Sequence, residues 1–161
     1  MFENEIAINQ FLLGQFKKIV KDLPEESLFD PAPGHLHPPV WILGHLAITG
    51  ELGNRMLKGS ISHLAWLKLF GPGSDDKIEP DQTLTKSVFE TAIVETYQGL
   101  QVRAAGADQN LLAQPHGLEL FEGTPILTVS HCIAVLLTNH FGFHLAQLSS
   151  CRRSIGQKYL F

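Results

Sequence analysis

Residues 124–156 read TPILTVSHCIAVLLTNHFGFHLAQLSSCRRSIG. Thr124 offers the short hydroxyl of an N-cap, Pro125 suits a first helical position where a missing N–H costs nothing, and Gly156 closes the run. Apolar residues recur between them with a 3.6-residue period, which predicts one helix of about 30 residues reaching Ile155. Turning that helix by roughly 100° per residue with Ile133 at zero puts His140 near −20°, His144 near 20°, Gln147 near −40° and Cys151 near zero. Two titratable rings therefore point into the apolar stripe, where a helix normally buries leucine. His131, near 160° on the same scale, faces away and reads as a surface or interface residue.

Working outward, three more segments carry the helical rhythm, separated by stretches rich in Pro, Gly and Asp. The first, about Asn4 to Leu23, places Ile6, Leu13, Phe16 and Val20 on one stripe flanked by Leu12 and Ile19. Its other face, with Asn9, Lys17, Lys18 and Lys21, is expected to be solvated. The second runs from about Pro39 to Lys58, with Trp41, His45, Ile48, Leu52 and Met56 as its stripe. The third, about Leu84 to Ala105, aligns Val88, Ala92, Glu95, Gly99 and Val102 and stops at Gly106. Between the second and third lies a long irregular stretch in which SHLAWLKLF can form a short helix and GPGSDDKIEPDQ a loop, as in a crossover between helices that are not hairpin neighbours. No strand alternation persists for six residues, so the fold class is all-α, a helical bundle in one domain spanning 1–161.

The 161 residues carry a net charge of −4, and only Lys17-Lys18 and Arg152-Arg153 are adjacent basic pairs, so no footprint for a phosphate backbone exists and nucleic acid is not an expected partner. The opening MFENEIAINQ is acidic where a signal peptide is basic, and no apolar run approaches a membrane span; the expected location is the cytoplasm. Cys132 and Cys151 fall roughly 28 Å apart along one helix, too far for a disulfide, which fits reduced thiols. Only 17% of residues are charged, which leaves helix surface for a partner subunit and makes self-association, as a homodimer, an expectation.

Eight histidines make a pair at spacing four easy to meet by chance. What gives the pair weight is that both rings face inward and that His45, on another helix, does so too. Three buried neutral imidazoles need partners for six nitrogens, and a metal ion satisfies three of them at once. Residues four apart on a helix present neighbouring side chains, close enough for two imidazoles to reach one ion at roughly 2.0–2.1 Å. His35, His37, His63 and His116 lie in loops and read as solvated. Trp41 and Cys151 read as core. No Glu stands three before a histidine, no HExxH occurs, and GPGSDD lacks the context of a dinucleotide site, so a three-histidine site is what remains.

The stretches PPVWILGHLA and TNHFGFHLAQLSSCRRSIG resemble the two signature regions of the DinB-like (DinB/YfiT) superfamily: Trp and His ahead of Leu-Ala in the second helix, then HxxxHxxQ with a basic pair and glycine in the fourth. The resemblance implies a four-helix bundle of up-down-down-up type with a long crossover between helices two and three. It further implies a divalent ion, zinc or nickel, on His45, His140 and His144, with Gln147 beside them in a supporting role. Some members of that family are similar to thiol S-transferases or isomerases that use a low-molecular-weight thiol, others to metal-dependent hydrolases. The expected function is accordingly a metal-dependent enzyme acting on a small molecule through an open coordination position, with the general base unidentified: Glu51, Glu90 and Glu95 are candidates by sign alone, and each reads first as a solvated helix residue. The alternative is a non-catalytic, metal-stabilised dimeric binding or stress-response module.

Overall fold

The computed structural model describes residues 1–75 and 77–160, and its regular elements are helices, with Pro115 and Thr128 forming an isolated antiparallel bridge. Helix α1 spans Glu3–Asp22, α2 Pro39–Met56, α3 Trp66–Phe70, α4 Lys86–Ala105, α5 Gln109–Leu112, α6 Val129–Val135 and α7 Phe141–Ser154; Leu136–His140 is a π-helical turn joining the last two. Among the described residues no helix is long and apolar enough to cross a membrane.

Helix α2 is the centre of the fold. Every residue from Pro39 to Glu51 is buried, as befits a helix that is apolar on nearly all sides. It packs against α3, α4, α6 and α7, and α1 closes the far side against α4, α7 and the π-turn. Glycines make these approaches possible. A Cβ on Gly44 would sit 2.3 Å from the Phe70 ring, and one on Gly50 would sit 2.2 Å from Thr96 Cγ2 on α4. Phe141 ties three helices together, edge-on to Phe16 of α1 at 6.0 Å and to Tyr97 of α4 at 4.6 Å between ring centres.

Several expectations are corrected here. Asn9 is not solvated: it is fully buried, because its spacing to Leu13, Phe16 and Val20 places it on the inward stripe whatever its polarity. In α4 the main buried line is Phe89, Ile93, Tyr97, Leu100 and Ala104; of the predicted line Ala92 is buried, while Val88 and Val102 are exposed. The last helix starts four residues later than Thr124. The Thr124 hydroxyl is engaged in a turn with the Phe121 carbonyl and the Ile126 N–H, and Thr128 caps instead, its hydroxyl accepting from the His131 N–H. The short helix inside SHLAWLKLF forms as α3, His131 is exposed, and Cys132 and Cys151 are free buried thiols.

Candidate metal centre

Three elements bring His45, His140 and His144 together. α2 supplies His45, the π-turn ends on His140, and the first turn of α7 supplies His144. The three ring centres form a near-equilateral triangle of 5.2, 4.7 and 4.6 Å, and one nitrogen from each ring lies within 4.8 Å of the other two. His45 and His144 are buried and His140 partly so.

The outer nitrogens decide what the inner ones can do. His45 Nδ1 donates to the Phe70 carbonyl at 2.7 Å, and His144 Nδ1 donates to Gln147 Oε1 at 2.7 Å. A proton fixed on Nδ1 leaves the lone pair on Nε2, so both rings present acceptor nitrogens to the shared space. His140 Nε2 approaches His45 Nε2 to 3.2 Å, while His140 Nδ1 is buried and meets no hydrogen-bond partner among the described residues. Two nitrogens on one tetrahedral zinc ion, each at its usual bond length, stand roughly 3.3 Å apart. The separation of His45 and His140 fits that geometry.

Electrostatics hold the rings neutral. Burial pushes His140 down to about 3, with His144 and His45 adding to the effect, and burial with His45 nearby pushes His144 down to about 4. His45 is lowered by burial too, against the opposing pull of the Phe70 carbonyl. Neutral imidazole is the form that ligates a cation.

The residues around the triad were partly missed in sequence. Trp41 does more than fill the core: its indole stacks on His45 at 4.6 Å and 10°, with His37 stacked on its other face at 4.0 Å, and its Nε1 donates to Ser74 Oγ. The Phe70 carbonyl gave no signal as a backbone group from a short helix in the crossover. Gly44 did offer one, since glycine immediately before an inward histidine in a helix costs about 1 kcal/mol against alanine and marks a close approach. That approach is the Phe70 ring.

The carboxylates suggested as general bases lie elsewhere. Glu51 is buried, not solvated, with one oxygen accepting from His63 Nδ1 at 2.8 Å and the other from the His63 N–H, so His63 is likewise not simply a solvated loop residue. Glu51 and Glu95 line a separate polar pocket with Arg103, and Glu90 lines grooves beside Lys17. His116 is held at both nitrogens, donating from Nε2 to the Ile126 carbonyl and accepting at Nδ1 from the Leu118 N–H.

Beside the triad lies a cavity of about 340 Å³ whose wall includes His45 and His140. The rest of it is chiefly apolar, with Leu52 and Met56 from α2, Leu118, Leu120 and Phe121 from the loop before α6, and Leu136. Arg55 and Glu119, both exposed, are its charged members. A small organic molecule placed there has two of the three imidazoles within its chamber.

No family model matches the chain, and comparison with curated proteins and with solved structures likewise gives no match.

Proposed function

We propose that this chain is a DinB-like protein that binds one divalent ion, zinc or nickel, through His45, His140 and His144 and acts as a metal-dependent enzyme of the thiol S-transferase or hydrolase type. In this reading α1, α2, α4 and the rod formed by α6, the π-turn and α7 are the four helices of an up-down-down-up bundle, and the segment holding α3 is its crossover. The observation that carries the proposal is the convergence of three neutral imidazoles on one point, with His45 and His140 nitrogens 3.2 Å apart and the Nδ1 atoms of His45 and His144 already committed outward.

When bound, a divalent ion with three uncharged ligands keeps its full charge for whatever occupies its remaining position, and so acidifies a water or a thiol near neutral pH. The protein's own groups do the rest. Phe70 and Gln147 fix the tautomers and ring planes of His45 and His144, and Trp41 backs the His45 ring. The apolar cavity takes the carbon framework of a small-molecule substrate and limits water around the triad, while Arg55 and Glu119 meet its polar end at the rim. A low-molecular-weight thiol is the expected co-reactant for the transferase form, and a homodimer the expected assembly.

One observation favours a second reading, a metal-stabilised binding module without catalysis: the carboxylate at the cavity is the exposed Glu119, and Glu51, Glu90 and Glu95 face other pockets. The two readings share the metal. Elemental analysis of untagged protein should find close to one zinc or nickel per chain, and none in the His140→Ala, His144→Ala double variant folded to the wild-type helix content. Absence of metal from both samples, with no uptake on adding zinc or nickel, refutes the proposal. Given metal, turnover in a panel of low-molecular-weight thiols with electrophiles supports the enzyme, and a large drop in thermal stability on chelation without any turnover supports the module.

A further inference from the structure

Asn9 is fully buried on α1, and its hydrogen bonds go to groups outside the triad. Its Nδ2 donates to the Leu137 carbonyl at 2.7 Å, and its Oδ1 accepts from Gln101 Nε2 of α4, also at 2.7 Å. Gln101 is buried as well. Leu137 belongs to the π-turn, whose last residue is His140. A relay of two buried amides, Gln101 donating to Asn9 and Asn9 to Leu137, therefore ends on one backbone oxygen three residues before a proposed ligand.

We propose that Asn9 and Gln101 are positioning residues that hold the π-turn open and thereby set His140 within reach of His45. A π-turn departs from the regular i→i−4 ladder and occurs mostly as a single wide turn inside an α-helix, frequently at a functional site. A buried carbonyl in such a turn is costly to leave without a partner. Asn9 removes that cost, and Gln101 removes the matching cost at Asn9 Oδ1 by occupying it and fixing which end of the amide faces Leu137. If the turn tightened to α, the backbone on either side would rotate by up to one residue's angle, roughly 100°. His140 and the segment leading into α6 could not then both keep their present faces. A side chain of similar shape and no polarity, such as leucine, would serve the packing at position 9. What leucine cannot do is support an open turn.

The inference rests on the metal reading for its consequence, but its structural half can be tested without metal. Asn9→Leu removes the donor to Leu137; Gln101→Met leaves that donor in place and removes only its support. The crystal structure of metal-free Asn9→Leu should show the Leu136–His140 turn converted or shifted, with the His45 and His140 Nε2 atoms well beyond 3.2 Å. Titration with cobalt(II) alone, followed by its visible absorption, should show affinity reduced about 10- to 100-fold and an altered band, the loss expected when the support of a ligand is removed. Gln101→Met should show a smaller loss, and the double variant no more than Asn9→Leu alone, since the two act in series. Leu23→Ala, a cavity in the core at the far end of α1, controls for lost stability and should leave cobalt affinity unchanged. An Asn9→Leu structure with the π-turn and the 3.2 Å approach intact overturns the proposal, as does wild-type cobalt affinity in that variant. Should Asn9→Leu not fold, Gln101→Met takes its place in both measurements, and wild-type geometry with wild-type affinity there overturns the proposal equally. Should wild type itself take up no cobalt, the metal reading falls, and the structure of the variant still decides the positioning role.

Discussion

Replacing Gly44 with alanine adds one methyl group at the point where α2 and α3 touch. The new Cβ would lie 2.3, 2.4 and 2.6 Å from three carbons of the Phe70 ring, where ordinary contact begins at 3.4 Å. The ring must retreat by roughly 1 Å, and it is fully buried, so its backbone has to move with it. Carried through to the carbonyl, that displacement stretches the 2.7 Å bond from His45 Nδ1 to about 3.7 Å, past the limit of a hydrogen bond. Two effects should follow from one methyl. Overpacking lowers stability by about 1–3 kcal/mol, and loss of the outward partner of His45 weakens metal binding about 10- to 100-fold. Gly50→Ala separates them: its Cβ meets Thr96 Cγ2 at 2.2 Å on α4, so it carries the same kind of packing cost without touching Phe70. Urea denaturation of both metal-free variants and cobalt titration of both below their unfolding range complete the comparison. Equal stability losses with weakened cobalt binding in Gly44→Ala alone is the expected result. Wild-type affinity in Gly44→Ala refutes the claim that the Phe70 carbonyl holds His45.

Gln147→Leu deprives His144 Nδ1 of its acceptor and should lower metal affinity about 10- to 100-fold, while Gln147→Glu, which still accepts, should restore it; isothermal titration with zinc measures both. The metal-free protein should lose stability as pH falls. His140 and His144 have folded values of about 3 and about 4, below the 6.5 of an ordinary histidine, so protons bind the unfolded chain first. Their contribution is complete above about pH 6.5 and is lost toward pH 4 and below, each site adding a slope of up to about 1.4 kcal/mol per pH unit. Urea midpoints at pH 7 and pH 5 check this, and a flat profile contradicts it. Asp22→Ala strands the buried Arg152 guanidinium that it pairs with and should cost about 1.5–3 kcal/mol in chemical denaturation, with cobalt affinity unaltered.

The triad was legible because its signals are local and periodic. His140 and His144 sit four apart on an apolar face, and His45 lies on the stripe of a helix opened by Pro39. The supports were less legible, each for its own reason. Asn9 lies at spacing four, three and four from Leu13, Phe16 and Val20, so position argued for burial and polarity argued against it; position won because α4 and the π-turn supply partners for both ends of the amide. The inner line of α4 is also periodic, but α4 faces both α1 and α2, and in the sequence the looser pattern through Val88 and Val102 competes with it. The π-turn has no mark in LLTNH, since it depends on a contact from residue 9. Glu51 is buried with His63, twelve residues on, folded back onto its carboxylate. Nothing in the spacing of α2 reveals that partner. The cap at Thr128 prevailed over Thr124 through another distant contact, the Val129 N–H donating to the Gln114 carbonyl.

The stack of His37, Trp41 and His45 gives the molecule an intrinsic optical reporter. The chain has two tryptophans, and Trp66 stacks on His63 in the separate polar pocket region. Exchanging Trp66 for phenylalanine would leave a single indole, in face-to-face contact with one of the three converging rings. Emission from that fluorophore would then register cation arrival or departure in real time, without dye or tag, whatever molecule the neighbouring chamber turns out to accept.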